Sequence, residues 1–208
     1  MRVKRIMILK NIFDFIVSII ALIFLSPILV SISLAIFLES GFPIVHRRKV
    51  HRSPSKTFYF YKFRTMYKNA DDRLKILLKN NPDIKLEYEK YYKLKNDPRI
   101  TKLGYILRNL SLDELPQFFN ILFFQMSLVG PRPKTSYELN KYFEKEDHET
   151  LFQVKPGITC IWQIAGRSNV DYLERVKMDL YYAQNRNFFM DLKILFQTPF
   201  ALLKKDAF

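Results

Sequence analysis

Asp113 and Glu114 stand side by side in "NLSLDELPQFFNIL" (109–122), an acidic pair inside an apolar segment of a basic chain. Two readings of the pair are open. Ser111 followed three residues later by Glu114 spells a capping box, in which each side chain satisfies the other residue's backbone N–H, and acidic residues suit the first turn of a helix. Alternatively, the pair is where chemistry happens, and the nearby cations then matter. Alternation along "TFYFYKFR" (57–64) puts Phe58, Phe60, Lys62 and Arg64 on one strand face. Two cations there can hold a phosphate, or can simply mark a solvated strand end. In "MSLVGPRPK" (126–134), Gly130 permits close backbone approach, and two prolines pin the chain around Arg132. A guanidinium held so rigidly suits a planar, bidentate phosphate contact, although a surface loop charge has the same pattern. Gly166-Arg167, closing "KPGITCIWQIAGRSN" (155–169), is a second arginine beside a glycine.

The totals favour anionic partners. Lys plus Arg number 34 against 20 Asp plus Glu, a formal net charge of +14, which points to phosphate-bearing substrates, acidic lipid surfaces or nucleic acid. An aromatic content of 15% fits a protein touching a membrane interface. Cys160 is the single cysteine, so there is no disulfide framework and no thiolate metal cluster, and a reducing, cytosol-facing location follows. His46, His51 and His148 lack zinc-ligand spacing, and no structural metal is assigned. No glycine-rich P-loop, Rossmann fingerprint or GxSxG motif occurs.

The elements that must position these residues begin with an apolar run, residues 12–38, in which Asp14 is the only charge. As one helix it would be roughly 40 Å long, enough to cross a hydrocarbon core of about 30 Å. Pro27, after Ser26, removes a backbone hydrogen bond near its middle, and the arms 12–26 and 28–38 are each too short to span. Both flanks are basic: Arg2, Lys4, Arg5 and Lys10 before, Arg47, Arg48, Lys49, Arg52 and Lys56 after. A hairpin that enters and leaves by one face keeps both clusters on the cytoplasmic side, whereas a Pro-kinked spanning helix does not. Backbone groups freed at the break need partners, which Ser26 or its neighbours can supply. Composition leaves both topologies open.

Downstream, residues 67–95 are highly charged, with Leu74, Leu77 and Leu78 forming a stripe and Pro82 dividing two helices. "NDPRITKLG" (96–104) reads as a turn into a short helix over 105–110, and 117–124 continue as an apolar helix that packs or dips into the interface. "EKEDHET" (144–150) is a solvated charge run. The last forty residues, with Tyr181, Tyr182, Phe188 and Phe189, read as interfacial helices with basic ends or as core packing. The expected fold is therefore α+β and mostly helical. It comprises a membrane region over 1–40, interfacial amphipathic helices and a small β element, with a catalytic-type domain over 41–208.

Taken in order, "YKFRTM" (61–66), "DPRITKLGYILRNLSLDELPQFFNIL" (97–122), "MSLVGPRP" (126–133), "KPGITCIWQIAGRSN" (155–169) and "DLYYAQNRNFFMDLKIL" (179–195) resemble the bacterial sugar transferases, the monotopic polyprenyl-phosphate phosphoglycosyl transferases. The resemblance covers nearly the whole chain beyond the apolar run, and the length is similar to the family's minimal catalytic form. It implies a re-entrant membrane helix bent at Ser26-Pro27 and an active site at the cytoplasmic face of the bacterial inner membrane. It further implies transfer of a sugar phosphate from a UDP-sugar to polyprenyl (undecaprenyl) phosphate with release of UMP. Asp113 and Glu114 match the family's catalytic dyad, with Asp113 as nucleophile. Mg²⁺ is the implied cofactor, served by Asp113 and Glu114. Lys62, Arg64 and Arg132 match the family's cations, Arg167 and Asp179 later motif positions, and Gln163 lies within one of the motifs. Anionic lipids and a second copy of the chain are implied partners; nucleic acid is not. The second nucleophile, a lipid phosphate, is already largely dianionic near neutrality, with a second pKa of about 6, so no strong general base is required. The stretch "NVDYLERVKMDLYY" (169–182) resembles members that transfer galactose or glucose phosphate.

This chain departs from the family at three places. Phe123, Phe124 and Gln125 replace the Lys-Gly-Asp that commonly precedes Met-Ser-Leu. Cys160 replaces a usual glycine, and "VHRSPSK" (50–56) lacks the usual glycines. The rival readings are a non-catalytic basic membrane-surface scaffold and a membrane-tethered nucleic-acid-binding protein. The intact "SLDELP" argues against the first, and the absence of any RNP, helix-turn-helix or zinc pattern against the second.

Overall fold

The apolar run folds as part of one helix, α1 (Arg2–Ser40), which continues through Pro27 without interruption. This computed structural model describes residues 2–91, 94–166 and 170–203. The two separate arms expected on either side of Ser26-Pro27 are therefore a single helical element. The reason is local chemistry: proline cannot donate to the carbonyl of Ile23, four residues back, and the Ser26 hydroxyl donates to that oxygen instead, at 2.8 Å.

Both ends of α1 bind the remainder of the chain, while its middle does not. On the N-terminal arm, Phe13 and Val17 pack against the main core. Asp14 is only 2% exposed and accepts from Ser127 Oγ at 2.6 Å. Nearby, Lys10 Nζ lies 2.6 Å from Asp191 Oδ2, and Lys155 Nζ donates to Asn11 Oδ1 at 2.8 Å. On the C-terminal arm, Ile32 and Ile36 pack with Phe63 and Leu107, and Glu39 accepts from the Leu103 N–H at 3.1 Å. Between the arms, Ile20, Ile23 and Phe24 are exposed, Phe24 to 79%. Helix exit is set by Gly41, whose left-handed φ of 71° lets its N–H reach Phe37 O at 2.8 Å.

Next comes the hairpin β1 (Val45–His51) and β2 (Thr57–Phe63), antiparallel with Val45 opposite Phe63 and His46 opposite Lys62. Phe58 and Phe60 enter the main core, as alternation predicts. The charged segment forms two helices, α2 (Ala70–Asn80) and α3 (Pro82–Tyr91), divided as expected at Pro82. Helix α4 (Lys102–Asn109) starts earlier than the expected 105 because Thr101 caps it, accepting from Gly104 N at 2.8 Å. A 3₁₀ turn (Leu112–Glu114) and α5 (Gln117–Leu122) follow.

The second sheet pairs β3 (Ser127–Val129) with β4 (Gly157–Thr159) in parallel. Between them lie α6 (Ser136–Tyr142) and α7 (Lys145–Leu151), the latter formed by the expected charge run. The chain closes with α8 (Ile161–Ala165), α9 (Tyr172–Asn185) and α10 (Phe188–Leu203). The late aromatics divide between the two expected roles. Tyr182 is in the core, its hydroxyl donating to Asp191 Oδ1 at 2.6 Å, whereas Tyr181, Phe188, Phe189, Phe196 and Phe200 are exposed. With exposed Phe119, Phe123 and Phe124 at α5, the structure carries the mostly helical, α+β character expected, together with a long apolar helix.

Candidate active site

Three separate segments meet at the acidic pair. Lys62, at the end of β2, points its Nζ at Glu114 Oε1 (2.7 Å) and Asp113 Oδ2 (3.4 Å). Arg132 reaches the same Glu114 oxygen through Nη2 at 2.9 Å. Glu114 is thus a hub joining two cations at one oxygen, while Asp113 touches only one of them, and at longer range.

The turn holding the pair is not the capped helix start that its local pattern suggests. Ser111 takes a left-handed φ of 54° and makes no side-chain cap hydrogen bond, and Leu112–Glu114 is a single 3₁₀ turn. Glu114 spends its carboxylate on cations, which outcompete a backbone N–H electrostatically. The charges that act on Asp113 are therefore those of side chains around it. Burial pushes the Asp113 carboxyl above the ordinary carboxylate range; Lys62 opposes this, the Glu114 charge adds to it, and Arg108 opposes it again. For Glu114, burial would also raise the pKa, but Arg132 and Lys62 outweigh it and hold the group well below that range.

Arg132 owes its position to a rigid loop. Gly130 N donates to Thr159 O at 3.1 Å and Gly157 N to Pro131 O at 2.9 Å. A Cβ on Gly130 would lie 2.2 Å from Lys155 O, so the close approach read from the sequence requires glycine. Asp179 completes the mount: it pairs with Lys134 Nζ at 2.8 Å, both side chains nearly inaccessible, and accepts from the Arg132 backbone N–H. Asp179 is thus a support for the arginine loop, not a member of the reacting cluster. On the other flank, buried Asn120 imitates a strand, accepting from Tyr61 N (3.1 Å) and donating to Tyr59 O (2.7 Å), which fixes α5 against β2. Its other amide hydrogen goes to Gln125 Oε1 at 2.7 Å, so the glutamine at the departing family position acts as a structural acceptor.

Arg64 does not join the dyad. The strand ends at Phe63, and the Arg64 guanidinium turns to the end of α1, donating to Ser40 Oγ at 2.6 Å and to the Gly41 carbonyl. Gln163 lies on α8, where its Oε1 accepts from Cys160 Sγ at 3.1 Å. Arg167 lies outside the described residues. Sequence reasoning missed Arg108, at the end of α4, whose charge acts on Asp113 while its Nε donates to Thr65 Oγ1 at 2.9 Å. The available signal was its place five residues before Asp113, across the short turn that follows α4.

An apolar groove of about 500 Å³ opens beside the dyad. Its walls are Leu29 and Ser33 of α1, Tyr61 and Phe63 of β2, and Phe119 and Phe123 of α5, with Pro116 two residues from Glu114. The arrangement combines a buried carboxylate, clustered cations for phosphate oxygens, and an adjoining apolar slot walled in part by a membrane-type helix.

The arrangement invites comparison with known proteins. The chain belongs to the bacterial sugar transferase family, whose sequence profile matches residues 5–205. It is 44% identical over 199 residues to an undecaprenyl-phosphate galactose phosphotransferase of Salmonella typhimurium, covering 96% of this chain and 41% of that protein. It is 38% identical over 209 residues to a UDP-glucose:undecaprenyl-phosphate glucose-1-phosphate transferase of Klebsiella pneumoniae, covering 97% and 42%. It is also 41% identical over 202 residues to the exopolysaccharide production protein ExoY of Sinorhizobium fredii, covering 96% and 88%. The chain spans about two fifths of the length of the first relatives it matches.

The mount of Arg132 can be tested as a stability element. Lys134→Met leaves Asp179 buried without its cation and is expected to destabilise the protein by about 3–5 kcal/mol, most of it recovered in Lys134→Met/Asp179→Leu. Chemical denaturation in detergent micelles measures both; equal instability of the single and double variants would contradict the pairing.

Proposed function

We propose that the protein transfers a sugar 1-phosphate from a UDP-sugar to polyprenyl phosphate, as the first membrane step of bacterial surface-glycan assembly. The observation that carries this reading is the meeting of the Asp113-Glu114 pair with Lys62 and Arg132, flanked in the chain by Phe63 and Pro116 of an apolar groove walled by α1. Phosphoryl transfer needs in-line positioning and charge neutralisation above all. An Asp113 oxygen attacks the sugar-bearing phosphorus, and the bond from that phosphorus to the bridging oxygen breaks. UMP leaves with the electron pair, and an aspartyl phosphosugar forms. A terminal oxygen of polyprenyl phosphate then attacks the same phosphorus, the aspartyl–phosphorus bond breaks, and the Asp113 carboxylate is restored. Lys62 and Arg132 neutralise the phosphate oxygens, and Glu114 keeps both cations aimed at one point. The groove suits the first isoprene units of the acceptor.

Asp113 fits the ligand set of a Mg²⁺ ion, which takes few protein carboxylates and fills its shell with substrate phosphates and water. Among the described residues no cluster of three or more His, Cys, Asp or Glu suits a metal, so an ion at this site relies on the diphosphate for most of its ligands. Bound there, it neutralises charge on the diphosphate. Lys62 and Arg132 both engage Glu114 Oε1, so Asp113 and the other Glu114 oxygen are the protein groups that would hold such an ion.

The same reading includes re-entry of α1 at the cytoplasmic face. Lys10, Asn11 and Asp14 near one end, and Glu39 and Ser40 at the other, bind one and the same domain, which occupies one side of a membrane. The exposed middle around Ile23 and Phe24 is then the part that enters the lipid.

Two experiments test the proposal. In a UMP-release assay with a panel of UDP-sugars and a short-chain polyprenyl phosphate, Asp113→Asn is expected to lower kcat by about four orders of magnitude or more. The kcat/KM profile should fall on the acid side with a midpoint above the ordinary aspartate value, since only the ionised carboxylate attacks; Lys62→Met should move that midpoint higher still. Full turnover in Asp113→Asn removes the nucleophile assignment. For topology, a Cys160→Ala/Arg2→Cys variant should react with an impermeant maleimide only from the cytoplasmic side; labelling from the outside contradicts re-entry.

A further inference from the structure

Outside the dyad cluster, two cations are held side by side with no acid paired to either. Arg52, just past β1, reaches Val154 O through Nη1 at 3.5 Å, which sets it beside Lys155. Lys155 Nζ donates to Asn11 Oδ1 at 2.8 Å and lies 5.2 Å from the centroid of the Phe124 ring. Both side chains are part-buried, and neither is ion-paired among the described residues. Burial disfavours the charged form of each. For Lys155 the Arg52 charge adds to that, and the opposing pull of Asp14 is countered by Lys10. Charge held partly away from water without a counter-charge costs free energy, which a bound anion relieves.

The donor set fits one kind of ligand. Arg52 Nε and Nη2 and Asn11 Nδ2 have no protein partner among the described residues and are not sealed from solvent. Every group left over here donates and none accepts, so the ligand is an acceptor-only anion, as a phosphate diester is. The surroundings say what carries it. Asn11 immediately precedes the apolar run of α1. Phe15, one turn further on, stacks on Phe124 with ring centroids 5.5 Å apart, and Ile8, Ile12 and Phe124 are exposed. Phe124 holds this place at a left-handed φ of 56°, which a bulky side chain rarely adopts. Cations and an amide beside exposed apolar side chains match a charged lipid, with its phosphate on the donors and its acyl chains on the apolar rim. The groove assigned to the acceptor lies on the other arm: from Asn11 to Leu29 is roughly 27 Å of helix at 1.5 Å per residue.

We propose that Arg52, Lys155 and Asn11 form a binding site for the phosphate of an anionic phospholipid, which seats the N-terminal arm of α1 at the membrane surface. This rests on the membrane entry of α1 proposed above and adds to it a lipid contact separate from the polyprenyl phosphate acceptor.

The probe is phosphatidylglycerol, with zwitterionic phosphatidylcholine as the comparison. In native mass spectrometry of the full chain released from detergent micelles, one phosphatidylglycerol should be retained, about tenfold in preference to phosphatidylcholine. Arg52→Gln, which leaves the Lys155–Asn11 bond in place, should lower retention about fivefold, and Arg52→Lys should restore part of it. Without lipid, Arg52→Gln should unfold at the same temperature as the unmodified chain and lose only the upward shift that phosphatidylglycerol produces. Arg52→Gln/Lys155→Gln should abolish the preference, whereas Lys49→Gln/Lys79→Gln, which removes the same charge from exposed positions, should keep it. Equal losses in the two double variants would show diffuse surface charge and overturn the site. Displacement of phosphatidylglycerol by short-chain polyprenyl phosphate, with a raised KM for that acceptor in Arg52→Gln, would give the site to the acceptor and overturn the phospholipid assignment. Flotation separates the site from membrane entry. A chain that floats with phosphatidylcholine vesicles and gains nothing from added phosphatidylglycerol overturns the site alone; one that floats with neither overturns the entry of α1.

Discussion

The site is organised by one electrostatic hub: a part-buried Glu114 oxygen that meets Lys62 at 2.7 Å and Arg132 at 2.9 Å. Those partners come from a β-hairpin and from a proline-framed loop, neither adjacent to the dyad in sequence. Bringing three part-buried charges together is tolerable only when each is answered, because charge held away from water without a partner costs free energy. The hub therefore fixes where β2, the 3₁₀ turn and the arginine loop sit relative to one another. It also divides labour between the neighbouring acids. Glu114 is held ionised and engaged, while Asp113 is more weakly paired and so better suited to react.

Supports behind the hub follow the same logic. Asp179 and Lys134 anchor the arginine loop, and Asn120 fastens α5 to β2. On the membrane side, Asp14 and Ser127 tie the apolar helix to β3, the strand leading into the arginine loop. Helix α1 is thus joined to the arginine mount at one end and walls the groove at the other. A charge in an apolar segment, at first sight an anomaly, is the residue that docks it.

Much of this was legible in the sequence, and the failures have physical causes. Strand alternation placed Phe58, Phe60 and Lys62 correctly but not Arg64, because the strand ends at Phe63 and the period no longer applies. The capping-box reading of Ser111 and Glu114 failed because a local pattern cannot register cations that arrive from residues 62 and 132. Gly130 was read correctly, since close backbone approach is a local requirement. Ser26 was anticipated as a hydrogen-bond donor at the break, and it is one, but it preserves the helix where two arms were expected. Asp14 and Arg108 went unassigned because their partners are set by tertiary packing; Ser127 is 113 residues from Asp14.

The central claim is that Asp113 carries the phosphosugar. Intact-protein mass spectrometry after incubation with a UDP-sugar, without lipid acceptor, tests it most directly. The account predicts a mass increase of one sugar phosphate, located by peptide mapping to Asp113, lost in Asp113→Asn and discharged when polyprenyl phosphate is added. An adduct that persists in Asp113→Asn, or full turnover with no adduct formed at any time, would contradict it.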